Sequence, residues 1–276
     1  MSNILLKLWN DLIGVLLPRT CIVCGRPLVP MEEVCCTTCT LDMPLTNYKA
    51  SYGNPIERVF WGKIPIVRAT GFMKYLPNTP YARIITQLKY NNRPDIGIYL
   101  GRLMAKDLVG TNFFEDIDLI IPLPLATSRQ FIRGYNQSEC IARGIQQITK
   151  IPIDTTSVKR SKANKKQTQT HKHLRHENVK GIFALTHPVL TENSIAPTPL
   201  EMLVPSTDTN NPQTNNPHPL ANKHILLIDD IFTTGATLLS CSQALSSIPG
   251  IRISIICAGV AGQHHWGPHL PEECKR

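Results

Sequence analysis

The segment His224-Ile-Leu-Leu-Ile-Asp-Asp-Ile-Phe-Thr-Thr-Gly-Ala-Thr-Leu238 constrains this chain more than any other stretch. Ile225–Ile228 is a continuous apolar run of the kind carried by a strand buried on both faces. Two acids close it, and a loop of small and hydroxyl residues then opens a helix over Leu238–Leu245. In a parallel α/β sheet, ligands bind beyond the carboxyl ends of the strands. A helix N-terminus at that point offers free N–H groups and the positive end of the peptide dipoles, which suit phosphate. Gly235 permits φ > 0 and a close backbone approach. Thr233, Thr234 and Thr237 add hydroxyl donors around Ala236, while Asp229 and Asp230 suit the 2′- and 3′-hydroxyls of a ribose and a water-held Mg2+. The Gly-Lys-Ser/Thr ending of a Walker loop is missing, which excludes that class of nucleotide site.

Two further apolar runs, Ile117–Ile121 closed by Pro122 and Ile251–Cys257, read as buried strands. Tyr81–Tyr90, Ile96–Leu108 and Gln137–Ile148 read as helices. Strands separated by helices imply a parallel α/β sheet. The turn Ile120-Ile-Pro-Leu-Pro-Leu125 ends its strand on the same face as the acid pair, which brings Pro124 and Leu125 there. Arg133 follows as a guanidinium suited to bidentate phosphate binding. The excess of 29 Lys+Arg over 20 Asp+Glu, a net charge of +9, favours anionic partners in general.

Cys21-Ile-Val-Cys24 and Cys36-Thr-Thr-Cys39 are two Cys-x-x-Cys pairs whose four thiolates can close a tetrahedral structural zinc site. Cys35 is the spare, although Cys35 and Cys36 can exchange roles; redox-active cysteines are the rival reading. Such a closed site has no open position for chemistry. No stretch is long and apolar enough to span a membrane. Ile4–Leu17 has helical spacing of apolar residues and is read as an amphipathic helix, and the chain is expected to be cytoplasmic. In a reducing compartment, nine cysteines are better explained by metal binding and burial than by disulfides. His264, His265, His269 and Cys274 are assigned to a polar tail rather than a second metal site.

His187–Asn222 breaks the α/β pattern with Pro188, Pro197, Pro199, Pro205, Pro212, Pro217 and Pro219. Such a segment buries too little apolar surface to offset its chain entropy and is expected to be a disordered insertion. The resulting division is 1–45 for the N-terminal helix and four-cysteine module, and 55–276 for the α/β domain with insertion 187–222.

These pieces together resemble the ComF family, which pairs a small zinc-ribbon-like module with a type I phosphoribosyltransferase fold. The matching residues are Arg133-Gly-Tyr-Asn-Gln-Ser138, Gln87-Leu-Lys-Tyr90, Arg160, Gln167, Arg175, Asn178-Val-Lys-Gly-Ile-Phe183 and the loop Asp229–Thr237. The resemblance implies that Asp229, Asp230, Thr233, Thr234, Gly235, Ala236 and Thr237 bind phosphoribosyl pyrophosphate (PRPP) with Mg2+. It also implies that Pro124, Leu125 and Arg133 meet the pyrophosphate. The basic stretch Val158–Lys180 is then read as the mobile loop over bound PRPP, with a solvated basic loop or a nucleic-acid backbone contact as the other readings; it lacks interleaved aromatic residues, which argues against base stacking there. The implied activity is phosphoribosyl transfer to an unidentified acceptor, with a role in DNA uptake during natural competence. The alternative is a non-catalytic PRPP- or nucleotide-binding module that contacts single-stranded DNA or a DNA-processing protein. One departure stands out: Ala126 replaces the family's His after the Pro-x-Pro-Leu turn.

Overall fold

The computed structural model describes residues 19–160, 182–187 and 218–262. The expected helix over 4–17, the basic stretch beyond Arg160, the insertion over 188–217 and the His264–Cys274 tail all lie outside them. The described residues form the strands β1 (Arg68–Lys74), β2 (Leu119–Pro122), β3 (Val158–Arg160), β4 (Phe183–Leu185), β5 (His224–Phe232) and β6 (Arg252–Val260). Four of them form a parallel sheet in the order β1-β6-β5-β2, and β3 and β4 pair antiparallel apart from it. The helices are α1 (Thr37–Leu41), α2 (Pro55–Phe60), α3 (Ala82–Tyr90), α4 (Pro94–Leu108), α5 (Thr127–Arg133), α6 (Gln137–Thr149) and α7 (Ala236–Leu245). A parallel sheet flanked by helices, with a four-cysteine cluster near the N-terminus, is the architecture that the sequence implies.

The sheet's central strands are apolar because both faces are covered. Ile225, Leu226, Leu227 and Ile228 are all fully buried, and alternate residues serve opposite layers. Leu226 and Ile228 join α3, α4 and α6 on one side. Ile225 and Leu227 join α2 and α7 on the other. The segment after α6 touches β2 on the side away from β5, through an isolated parallel bridge of Ile120 with Ile153. The strand that follows β5 is β6, on the other side. The connections therefore wind in opposite directions from β2 and β5, which makes the gap between these two the topological switch point.

β5 is longer than its apolar run. It pairs with β6 as far as Phe232 and Val260, but with β2 only as far as Ile228 and Pro122. Asp229 and Asp230 thus lie within the strand rather than beyond it, on a segment whose β2-side edge is open. A last bond from Leu123 N to Ile228 O, 2.9 Å, marks where the two chains part.

The four-cysteine module is built into the molecule. Cys21, Val23, Cys35, Cys36, Cys39 and Met43 share one apolar core with Ile84, Leu88, Leu100 and Ile228. Thr46 N donates to Phe72 O at 2.8 Å and Lys74 N to Pro44 O at 2.7 Å, so the chain leaving the module lies along β1. At the far end of the insertion, residues 218–222 are ordered: Leu220 is buried, and Asn222 N donates to Pro249 O at 3.0 Å.

Candidate functional site

A cleft of about 290 Å3 opens at the switch point between β2 and β5. Of the residues expected at the site, Asp229, Asp230, Thr233, Thr237, Pro124, Leu125 and Arg133 line it. Thr234, Gly235 and Ala236 form the turn behind. Gly235 has φ 74°, as a left-handed N-cap requires. A Cβ there would stand 3.0 Å from the Phe232 ring and 3.1 Å from Val59, so glycine also lets α7 sit close to α2.

The opposite wall comes from the N-terminus of α6. Asn136 caps that helix: its Oδ1 accepts from Ser138 N at 3.1 Å, and its Nδ2 donates to Leu123 O at 3.0 Å. One side chain thus ties the turn after β2 to the start of α6. Gln137 and Ser138 are buried against the cleft. Two helix N-termini, those of α6 and α7, therefore reach the same cleft from opposite faces of the sheet. The positive end of the peptide dipoles of each suits an anion.

The acids sit between them. Asp229 Oδ1 accepts from Asp230 N at 2.9 Å and lies 3.5 Å from the Ser138 hydroxyl. Burial, and then the neighbouring Asp230 carboxylate, hold the Asp229 carboxyl well above its ordinary range. Lys89, at the end of α3, pairs with Asp230 at 3.1 Å. Arg133 donates to Gln137 Oε1 at 2.9 Å, with its guanidinium 5.6 Å from the Tyr90 ring centre. Arg160 lies over Phe183 at 5.5 Å; burial first, and then Arg129, pull its guanidinium below its ordinary range. Lys89, Arg129, Asn136, Gln137 and Ser138 line the cleft without having been given a role from the sequence, and Arg160, from the stretch read as a loop over PRPP, lines it from β3. Most of them fell inside the stretches matched to ComF, but their spacing carries no sign of a shared cleft, because four elements contribute them. Ala126 precedes α5 and gives it no side-chain cap.

The second cluster is the expected one. The ligand atoms of Cys21, Cys24, Cys36 and Cys39 lie within 4.8 Å of one another. Cys24 Sγ and Cys36 Sγ are 3.8 Å apart, close to the edge of a tetrahedron with metal–sulfur bonds of about 2.3 Å. Cys36 N donates to Cys21 Sγ at 3.3 Å and Cys39 N to Cys36 Sγ at 3.4 Å, as at thiolates held in a turn. Cys35 points elsewhere, into the core beside Tyr99, where burial pushes its thiol up to about 12. The set therefore resolves to Cys36, with Cys35 as filler.

The fold and cleft define a doubly wound α/β protein with a polar, cation-rimmed site at its switch point and an attached four-cysteine module. Within that class, the chain is homologous over most of its length to the ComF family. It is 25% identical over 240 residues to the DNA utilization protein YhgH of Shigella flexneri, covering 86% of this chain and 88% of the relative. It is 27% identical over 172 residues to competence protein F of Haemophilus influenzae, covering 61% and 63%. No protein-family model matches. Among solved structures, a hypoxanthine phosphoribosyltransferase from Staphylococcus aureus aligns at 15% identity with a TM-score of 0.29, over 66% of this chain and 69% of that one. A likeness at that level carries no weight beside the strand order itself. No helix among the described residues is long and apolar enough to cross a membrane.

Proposed function

We propose that the chain binds PRPP with Mg2+ at the switch-point cleft and transfers its phosphoribosyl group to an acceptor, with pyrophosphate as the leaving group. The observation that carries this reading is the convergence of two helix N-termini on one acid pair. A ligand that matches it has an anionic group at each end and a diol between. The α7 turn, Thr233–Thr237, holds the 5′-phosphate through backbone N–H groups and hydroxyls. Asp229 and Asp230 accept from the ribose hydroxyls. Pro124 and Leu125, the start of α6 and the cleft's guanidinium groups face the diphosphate, where Arg133 is pre-oriented by Gln137 and Tyr90. Mg2+, carried in with the ligand, would neutralise the diphosphate as the bond to C1′ breaks. The residues themselves supply placement and fixed electrostatics.

The four thiolates fit a structural zinc ion, which would cross-link the two turns of the module. By analogy with its relatives' names, the protein's place is DNA utilization and competence. The test is calorimetry with PRPP and Mg2+. We expect binding that Asp229→Ala with Asp230→Ala abolishes in a protein that stays folded; unchanged affinity would remove the ribose assignment. Consumption of PRPP on incubation with candidate bases separates a transferase from a PRPP-binding module.

A specific surface favours a second reading, contact with single-stranded DNA. The Tyr52 and Trp61 rings stand 5.7 Å apart and are 91% and 46% exposed. Lys49, Arg58 and Lys63 are exposed in the same stretch, whose one acid, Glu57, is buried and accepts from Gly53 N and Ala69 N. Stackable rings beside unpaired cations suit a single strand. Salt-dependent binding of an oligonucleotide that Trp61→Ala weakens supports this reading, and equal binding by the variant removes it.

A further inference from the structure

Lys89 is the one cation of the cleft that reaches an acid within 4.0 Å among the described residues. Its side chain is 17% exposed and that of Asp230 12%. The Asp230 carboxylate at a nearly dry strand edge, beside Asp229, needs a counter-charge, and Lys89 provides it. A ligand that brings its own cation to these acids supplies that counter-charge itself. The ammonium is then left at the cleft wall with three donors and no acceptor. The phosphate oxygens of the same ligand are the acceptors available.

The placement of Lys89 begins far away. It sits in the last turn of the nine-residue helix α3, whose start is bonded to the four-cysteine module. Tyr81 hydroxyl donates to Cys39 O at 3.1 Å, and Arg83 Nη1 donates to Val23 O at 3.3 Å. Ile84, Ile85 and Leu88 then pack in the core that holds the cysteines. At the cleft end, Tyr135 hydroxyl donates to Leu88 O. The residue after Lys89 is Tyr90, whose ring lies under Arg133. A helix of this length spans about 13 Å, so one short rigid element carries the module's position into the cleft.

We propose that Lys89 is a phosphate-contacting residue of the ligand site, released from Asp230 when ligand and cation arrive, and that the four-cysteine module acts as its positioning element through α3. This rests on the reading of the cleft as a site for a diphosphorylated sugar. It assigns the module a part in ligand binding, in addition to any stabilising role.

The experiment measures the affinity of Mg2+ with PRPP, and of Mg2+ with inorganic pyrophosphate, for the full chain by calorimetry. Lys89→Met is expected to weaken PRPP binding about tenfold or more, as loss of a charge-assisted hydrogen bond does, and Lys89→Arg to restore part of it. Tyr81→Phe, which keeps the ring and removes the bond to Cys39 O, is expected to weaken binding several-fold in the wild-type background and hardly at all beside Lys89→Met. Unchanged affinity in Lys89→Met overturns the contact. Additive effects of the two substitutions overturn the positioning role. Pyrophosphate binding that depends on Lys89, without PRPP binding, retains Lys89 and removes the PRPP reading. Failure of the wild type to bind either probe overturns both.

Discussion

At the scale of single residues, the site is a problem of charge at a strand edge. The Asp229 carboxyl is held high first by burial and then by Asp230, whereas an unfolded aspartate ionises near 3.8. Folding therefore takes up a proton over the interval between these values. Stability from this group is fully present below about pH 4 and declines as pH rises toward the raised folded value. Asp229→Asn removes the ionisation. We expect the ligand-free variant to melt above the wild type, with a gap that widens by at least about 2 °C between pH 5 and pH 8. Scanning calorimetry across that range checks it; a constant gap would mean that Asp229 is ionised in the folded protein. Arg133→Lys keeps the charge but loses the planar fork and the stack on Tyr90, so PRPP affinity is expected to fall by roughly 1–2 kcal/mol, measured by titration.

At the scale of elements, the cleft depends on how closely α4 and α6 approach. A Cβ on Gly101 would fall 2.1 Å from Ile141 O, and one on Gly144 2.1 Å from Ile98 O. These contacts involve backbone, which does not swing aside as a flexible side chain would. Gly101→Ala is expected to cost about 1–3 kcal/mol or more, seen as a lower denaturation midpoint in urea. It should also weaken PRPP binding, because α6 carries Asn136 and Ser138 at its start. Gly110→Ala, where a Cβ meets nothing within 4 Å, is the matched control and should leave both quantities near wild type. Helix α5 shows the opposite case. It buries none of its residues, and Phe131 and Ile132 are 91% and 78% exposed, while Arg133 ties its last turn to Gln137 and Tyr90.

At the scale of the whole molecule, the question is whether the module and the sheet unfold together. The cysteines share their core with α3, α4 and β5, and Thr40 Oγ1 lies 2.7 Å from the Tyr99 hydroxyl of α4. Metal binding to four thiolates supplies folding free energy on the order of 10 kcal/mol in small domains. We expect one zinc per chain by elemental analysis, loss of that zinc in Cys24→Ser, and a lower melting temperature for the whole chain in a single transition. Two separate transitions would show the module to be independent. Cys35→Ser should retain the metal, because Cys35 is turned toward Tyr99.

The sequence by itself determined the strand, turn and helix at 224–238, the two Cys-x-x-Cys pairs and the alternation that implies a parallel sheet. Each of these is read from short segments of the chain, where period, turn chemistry and ligand spacing are local properties. β1 escaped it. Arg68–Lys74 mixes Gly71, Ala69 and Thr70 with Phe72 and Met73, and Gly71 is small because Val260 and Ile56 press on that point. Only the tertiary structure decided the reach of β5 past Ile228, the partnership of Lys89 with Asp230 and the clustering of Cys36, rather than Cys35, with the other three cysteines. It also decided that the module shares the core of the sheet. The physical reason is the same in each case. Pairing, charge compensation and burial act between residues that the fold brings together, and Lys89 and Asp230 stand 141 positions apart in the chain.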